Sequence, residues 1–428
     1  MAFDTPYSLG NKSIYQVFPR VYTKEGTFEA MEKYLPEIRK MGFDYLYLLP
    51  IHPRGELNKK GTYGSPYAVR NYYEVDPLLG KMEDFEHLVN ASHEAGLKVI
   101  MDFVFNHTAF DCVYVKEHPE YYIKDDKGNF TRKVSEWDDI IDFDFNNEDL
   151  RNELINVLLF WQNKGIDGIR CDCSSIIPVS FWKQARAALK QNNSEFVMLA
   201  ESVHADFIRK NRLNGVVIAT DSEEFETFDA CYNYDVAQFF TEALEPDSDL
   251  REYADIVNYQ QAAFPANALK IYHLENHDQP RIASLVKDRS MVRNWVAFSF
   301  LAKGMAFVYA GEEVYAETTP IIFEKQDINW NTDDRTLADL IKRSNEIKKE
   351  VIKDEYVDFQ MIPYKDILSF ELNTGGKHYL GIFNVHGVSG DYPLYLNDGR
   401  YTNMIDRSII EVKDRTISIG KEPVFIEV

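Results

Sequence analysis

Between about residue 12 and residue 350 the chain alternates short apolar, β-branched or aromatic runs with stretches whose apolar positions recur at helical spacing. Eight runs read as strands. They are IYQVF from Ile14, DYLYLLP from Asp44, KVIMDFV from Lys98, GIRCD ending at Asp172, FVMLA from Phe196, GVVIAT from Gly215, LKIYHL from Leu269 and AFVYAG from Ala306. After the first of them, TFEAMEKYLPEIRKMG puts Met31, Leu35, Ile38 and Met41 on one face, with Thr27 placed to cap a helix and Gly42 to stop it. MEDFEHLVNASHEAG repeats the pattern through Phe85, Leu88 and Val89. Strands that alternate with helices build a parallel sheet, and eight such units close into a (β/α)8 barrel of the α/β class. An open doubly wound sheet fits less well, because no early strand is followed by a G-x-G-x-x-G or P-loop turn.

Two stretches depart from the alternation. Residues 109–147 are rich in Tyr, Asp and Gly and carry no long helical period, which predicts a short excursion domain inserted after strand 3. Beyond about residue 355 the helical period stops. DILSFEL, KHYLGIFNV and TISIG then read as antiparallel strands, with NTGG and NDG as turns between strands. The predicted organisation is a barrel over 1–108 and 148–352, the excursion over 109–147, and a C-terminal antiparallel β-sandwich over 353–428.

Composition narrows the function more than the fold. The 428 residues are 45% hydrophobic and 27% charged, the balance of a globular enzyme. A net charge of −22 argues against a nucleic-acid backbone or an anionic membrane as partner. The 4 cysteines, Cys112, Cys171, Cys173 and Cys231, are too few and too irregularly spaced for a disulfide framework or a zinc motif, and read as buried thiols. The first twenty residues hold no apolar signal core and no stretch is long enough to span a bilayer. These features predict a cytoplasmic protein, or a secreted one if a signal peptide has been removed.

Catalytic groups of such barrels sit at the C-terminal ends of the strands, and here those ends are crowded with polar residues. The third strand runs into Asp102, Asn106 and His107, the fourth ends with Arg170 and Asp172, the fifth with Glu201, and the seventh runs into Asn276, His277 and Asp278. Arg170 and Asp172 are two apart on a strand and so share a face. That spacing suits either an ordinary ion pair or a carboxylate held ionised in a pocket. Acids crowded together are costly, and one kept protonated beside one kept ionised is the apparatus of glycoside cleavage. A divalent-metal site from His107, Asp172, Glu201 and Asp278 is the competing reading. It lacks an H-x-H or H-E-x-x-H pair, and Arg170 would compete with the metal for Asp172.

DFVFNH, GIRCD, AES with Glu201, and LENHD resemble, in order and on the right strands, the four short motifs of the α-amylase family, glycoside hydrolase family 13. The likeness extends to IYQVFPR on the first strand, GSPYAVRNYYEVDP after the second and GMAFVYAGEE on the eighth. The resemblance implies Asp172 as nucleophile, Glu201 as general acid and base, and Asp278 as the acid that steadies the distorted sugar. It also implies that His107, Arg170 and His277 line the sugar subsite beside the broken bond, with Tyr67 stacked under that sugar. The implied activity is retaining, α-amylase-type hydrolysis of α-1,4 bonds in starch or malto-oligosaccharides. A 4-α-glucanotransferase or cyclodextrin-type hydrolase is the alternative using the same acids, and a carbohydrate-binding subunit without catalysis is the remote one. Oligomeric state stays open.

Three positions depart from the family pattern. Ser175 and Ile176 stand where many family members carry Lys and His on the leaving-group side, and His273 stands where the seventh-strand motif usually begins with Phe. The resemblance also implies where calcium would bind: at Asn106, acids of the excursion, and the backbone carbonyl of the residue at Ile176. The excursion acids Asp138, Asp139, Asp142 and Asp144 fall just before a helix start at Asn147, where solvated turn or capping roles explain them. No required cofactor and no metal are therefore expected.

Overall fold

The computed structural model describes residues 4–134, 136–394 and 396–428. Eight parallel strands close into a barrel: β1 (Ser13–Val17), β2 (Tyr45–Leu48), β3 (Lys98–Val104), β4 (Gly168–Asp172), β5 (Val197–Ala200), β6 (Ala230–Tyr232), β7 (Leu269–Tyr272) and β8 (Met305–Tyr309). Each pairs with its neighbours in sequence, and β8 closes on β1. Both faces of these strands are buried, which is why they read as continuous apolar runs rather than alternating ones. Ile14, Tyr47, Ile100, Leu199, Ile271 and Phe307 pack together inside the barrel, while Tyr15, Leu46, Met101, Ile169 and Val308 join the larger core formed with the surrounding helices.

The structure corrects two expectations. GVVIAT is not a strand: Val217 is 87% exposed, and Val216 and Ile218 instead help cover an apolar cluster outside the barrel. The sixth strand is Ala230–Tyr232, three residues long, too short to leave a hydrophobic run of its own. The expected helix over 27–42 is two helices, Phe28–Glu32 and Leu35–Lys40. Pro36 stands in the first turn of the second, where its missing N–H costs nothing, and a continuous helix would have placed it in the interior. Thr27 does cap the first helix, accepting from the Ala30 N–H at 3.2 Å, and Gly42 (φ +94°) ends the second.

After β3 the chain leaves the barrel. His107–Ala109 pairs antiparallel with Ile140–Asp142, so the excursion starts and ends on one short ribbon at the barrel mouth. Beyond the last barrel helix, Thr336–Val351, the strands Asp358–Ile362, Leu368–Thr374, Lys377–Phe383 and Val424–Glu427 form an antiparallel sheet. The predicted NTGG turn joins two of them, with Gly375 and Gly376 both at positive φ as a tight two-residue hairpin requires. One face of this sheet, through Leu380, Ile382 and Ile426, packs on two small ribbons. Its other face, through Phe370 and Phe383, lies against Phe298 of a barrel helix. Among the described residues, no helix is long and apolar enough to cross a membrane.

Candidate active site

The site grows from the register of β3 and β4. Asp102 stands directly opposite Arg170 and Val104 opposite Asp172, so the alternation of side chains turns Asp102, Arg170 and Asp172 to one side. Arg170 is 1% exposed and its guanidinium spends both ends on acids. Nη1 donates to Asp102 (2.9 and 3.1 Å) and to Asp172 Oδ1 (2.9 Å), and Nη2 lies 2.8 Å from Glu201 Oε1 at the end of β5. Three carboxylates thus share one buried cation, more than the Arg170–Asp172 pair that strand spacing alone suggests.

The chain turns sharply after β4. Cys173 adopts a left-handed conformation (φ 46°), a strained geometry for a residue with a side chain. That turn aims its backbone N–H at Glu201 Oε2, 2.7 Å away. Glu201 is therefore held by a guanidinium on one oxygen and an amide on the other. Single oxygens of Asp172 and Glu201 approach within 4.8 Å.

On the opposite side, the Tyr67 hydroxyl meets Asp102 Oδ2 at 2.9 Å and His277 Nε2 at 2.6 Å, and the Tyr67 and His277 rings stack with centroids 5.3 Å apart. Gln16 of β1 contacts His277 Nδ1 at 3.2 Å, and His277 Nε2 lies 3.0 Å from the half-exposed Asp278. His107, buried, sits by Asn106 and beside the Trp137 ring. The structure brings Tyr67, His107, Asp172, Glu201 and Asp278 around one cavity of about 280 Å³, closed in by Lys60, Trp137, Ile322 and Phe323. Arg170 lies beneath it, and His277 is reached through Tyr67 and Asp278.

Burial pushes Asp172 up to about 6 and Glu201 up to about 8, with Arg170 opposing both shifts and neighbouring acids adding to them. In Asp278, burial is outweighed by His277 and Arg170, and the carboxyl falls below its ordinary range. Burial lowers His107. The mouth therefore holds one acid disposed to keep its proton at neutral pH beside others disposed to lose theirs.

Asp102, named among the strand-end residues in the sequence, anchors both Arg170 and Tyr67. Three neighbours escaped the sequence reading of the site. Gln16 supports His277. Cys173 and Trp137 line the cavity, and neither carries a sequence signal for that place. Ser175 and Ile176, the positions expected on the leaving-group side, are buried away from the cavity. Ile176 packs instead with Val134 and Ile218, a cluster that also receives Trp137, Cys173, Val203 and Phe207. His273, half-buried and pushed down to about 4, faces a different cavity behind β7.

Neither metal reading fits the residues. Asp172, Cys173 and Glu201 are the one group of potential ligands close enough to share an ion among the described residues, yet both carboxylates already hold Arg170. At the position implied for calcium, Asn106 Oδ1 accepts from Lys133 Nζ at 3.1 Å. Asp142, expected in a solvated turn, is fully buried and accepts from the Lys133 N–H (2.9 Å) and Asn106 Nδ2 (3.3 Å). Asp138 and Asp139 are paired with Lys60 at 2.7 and 2.9 Å, and Asp144 does make the expected turn, accepting from Asn146.

A closed (β/α)8 barrel that gathers acids, histidines and a clamped arginine at its mouth defines the class of carbohydrate-active barrel enzymes. Residues 10–355 match the family model described as the α-amylase catalytic domain and residues 360–426 that of the bacterial α-amylase C-terminal domain. The chain belongs to the α-amylase family. An α-amylase from Lactobacillus plantarum is 33% identical with a TM-score of 0.93, covering 99% of this chain and 100% of that one. A noncanonic maltogenic α-amylase from Thermotoga neapolitana is 31% identical with a TM-score of 0.87, covering 98% and 99%. Among curated relatives, an alpha-1,4-glucan:maltose-1-phosphate maltosyltransferase from Methylacidiphilum infernorum is 28% identical over 79% of this chain and 53% of its own length. The chain spans about half the length of that relative.

Proposed function

We propose that this chain is a retaining enzyme of α-1,4-glucans that cleaves malto-oligosaccharides through a covalent intermediate on Asp172, with water as the final acceptor. The observation that carries this reading is that one guanidinium holds Asp172 and Glu201 together, Nη1 on the first at 2.9 Å and Nη2 on the second at 2.8 Å, with an oxygen of each no more than 4.8 Å from the other. Retaining glycosidases hold their two carboxyl groups about 5–5.5 Å apart, whereas inverting enzymes need about 6.5–9.5 Å to admit a water between them. Glu201, held protonated by burial, gives its proton to the glycosidic oxygen as Asp172 attacks the anomeric carbon. Glu201 then takes a proton from the incoming hydroxyl, which displaces Asp172. Asp278 steadies positive charge on the distorted sugar, and Tyr67, His107, Arg170 and His277 shape the place where that sugar sits. The small cavity, bounded by Lys60 and Phe323, suits release of short products, in keeping with the relative described as maltogenic.

A second reading is transfer of the glycosyl unit to another sugar hydroxyl or to phosphate. Cys173 and Trp137, which line the cavity with Glu201, would exclude water and offer a ring for a second sugar. Of the two readings, transfer has the support of the curated relatives' names. Incubation with maltoheptaose, alone and with inorganic phosphate, separates them. Shorter chains only mean hydrolysis, chains longer than the substrate mean transfer, and a glycosyl phosphate means phosphate is an acceptor. Products released initially as the β-anomer would overturn the retaining mechanism itself. Asp172→Asn and Glu201→Gln are each expected to lower turnover on the order of a thousandfold while melting like the wild type. Retention of a tenth of wild-type turnover in either would show that the roles are misassigned.

A further inference from the structure

We infer that Lys133 is a built-in cation of this protein. Its ammonium takes the place at the Asn106 carboxamide that the resemblance gives to calcium, and by fixing that amide it sets the tautomer of His107. The inference rests on reading His107 as a sugar-contacting residue.

The argument starts from what an amide between two charged groups can do. Lys133 Nζ can only donate, and it lies 3.1 Å from Asn106 Oδ1. Asp142, ionised, can only accept, and it lies 3.3 Å from Asn106 Nδ2. Rotating the amide by half a turn would set its NH2 against an ammonium and its oxygen against a carboxylate. One orientation is therefore imposed. In that orientation Nδ2 also faces His107 Nδ1 at 3.2 Å, so Nδ1 must be the unprotonated nitrogen that accepts. The single proton of a neutral ring is then on Nε2, and burial favours the neutral ring. His107 lines the cavity in a defined tautomer, and its hydrogen bond to the Tyr67 backbone gives the remaining ring N–H a partner.

The same lysine is anchored at both ends. Its backbone N–H donates to Asp142 Oδ2 at 2.9 Å, and the next residue, Val134, packs with Ile176 and Ile218. Burial lowers its pKa from the ordinary lysine value, with Asp142 and Asp144 opposing that shift; the ionised Asp142 beside it and the acceptor oxygen of Asn106 are the geometry that calls for the charged form. A calcium ion wants six to eight oxygen ligands, and here the amide oxygen is taken by a positive charge that would repel it. Lys133 thus joins the excursion to β3 without a metal.

The test uses the full chain and the variants Lys133→Met, Lys133→Arg, His107→Ala and Lys133→Met/His107→Ala. Wild-type melting temperature and turnover on maltoheptaose should not move after exhaustive dialysis against EDTA or on adding calcium. Lys133→Met should lose roughly tenfold to a hundredfold in kcat, the range for removing a partner that orients a working histidine. Lys133→Arg, which keeps the charge and the donor, should recover most of that loss. In the His107→Ala background, Lys133→Met should add little, because both changes remove one function. Wild-type kcat in Lys133→Met, independent losses that multiply in the double variant, or a wild-type melting temperature that EDTA lowers and calcium restores would each overturn the inference. Should Lys133→Met not fold, the calcium response of the wild type and the kcat of Lys133→Gln decide it by the same criteria. If His107→Ala retains full activity, it is the reading of His107 that fails, and the inference with it.

Discussion

Arg170 is the residue on which the site turns. It is buried among Asp102, Asp172 and Glu201, and neither Asp172 nor Glu201 titrates as an isolated carboxyl. The activity–pH profile follows from this arrangement. In the proposed mechanism Asp172 must be ionised to attack, and as pH falls through about 6 it takes up a proton. In the same mechanism Glu201 must be protonated to assist departure, and as pH rises through about 8 it loses that proton. A bell-shaped kcat/KM with limbs near those values is expected, and a rate still rising at pH 9 would contradict the assignment of Glu201. Tyr67 offers a second check at this scale. From the sequence it is an aromatic platform, for which Phe would serve as well. In the structure its hydroxyl bonds Asp102 and His277. A hydrogen bond to a charged group contributes about 1.5–3 kcal/mol, so Tyr67→Phe should lower kcat/KM roughly tenfold or more and Tyr67→Ala should lower it further. Equal activity in all three would mean that neither ring nor hydroxyl contacts the reaction.

At the scale of elements, the barrel depends on close approaches that side chains would block. Gly304 precedes β8 with φ +149°, and a Cβ there would lie 2.3 Å from the Lys270 carbonyl oxygen on β7. Gly304→Ala is expected to cost about 2 kcal/mol or more, read as a lowered denaturant midpoint. An unchanged midpoint would mean that the β7–β8 edge can relax. Loops over the mouth are tied in a similar way. The Tyr63 N–H donates to the Phe323 carbonyl at 3.0 Å, and Arg20 reaches Ile322 at 3.2 Å, so segments far apart in sequence close one side of the cavity together.

Considered as a whole molecule, the C-terminal sheet completes the barrel's core. Phe370 is fully buried and touches Phe298, Phe359, Phe383 and Phe425. Phe370→Ala should destabilise the chain by about 3–5 kcal/mol. Because its ring spans sheet and barrel helix, the loss should appear in a single unfolding transition followed by both fluorescence and activity. A separate early transition that leaves activity intact would show that the sheet is dispensable to the barrel.

Much of this was legible in the linear chain. Parallel strands buried on both faces leave continuous apolar runs, and those runs located β1 to β5, β7 and β8, while strand-end polar residues pointed to Asp172, Glu201 and Asp278. Strand alternation even put Arg170 beside Asp172. What stayed hidden were features without a local pattern: a three-residue strand at Ala230–Tyr232, a helix divided at Pro36, and apolar residues at 215–219 that cover a surface cluster instead of pairing. Tertiary structure alone decided that Arg170 also grips Asp102 and Glu201, because cross-strand register is set by the closure of the sheet. It alone set Cys173 against Glu201, and Lys133 against an asparagine 27 residues away. Periodicity in a sequence records which face of an element is buried; which charges then meet depends on how distant elements close around a common centre.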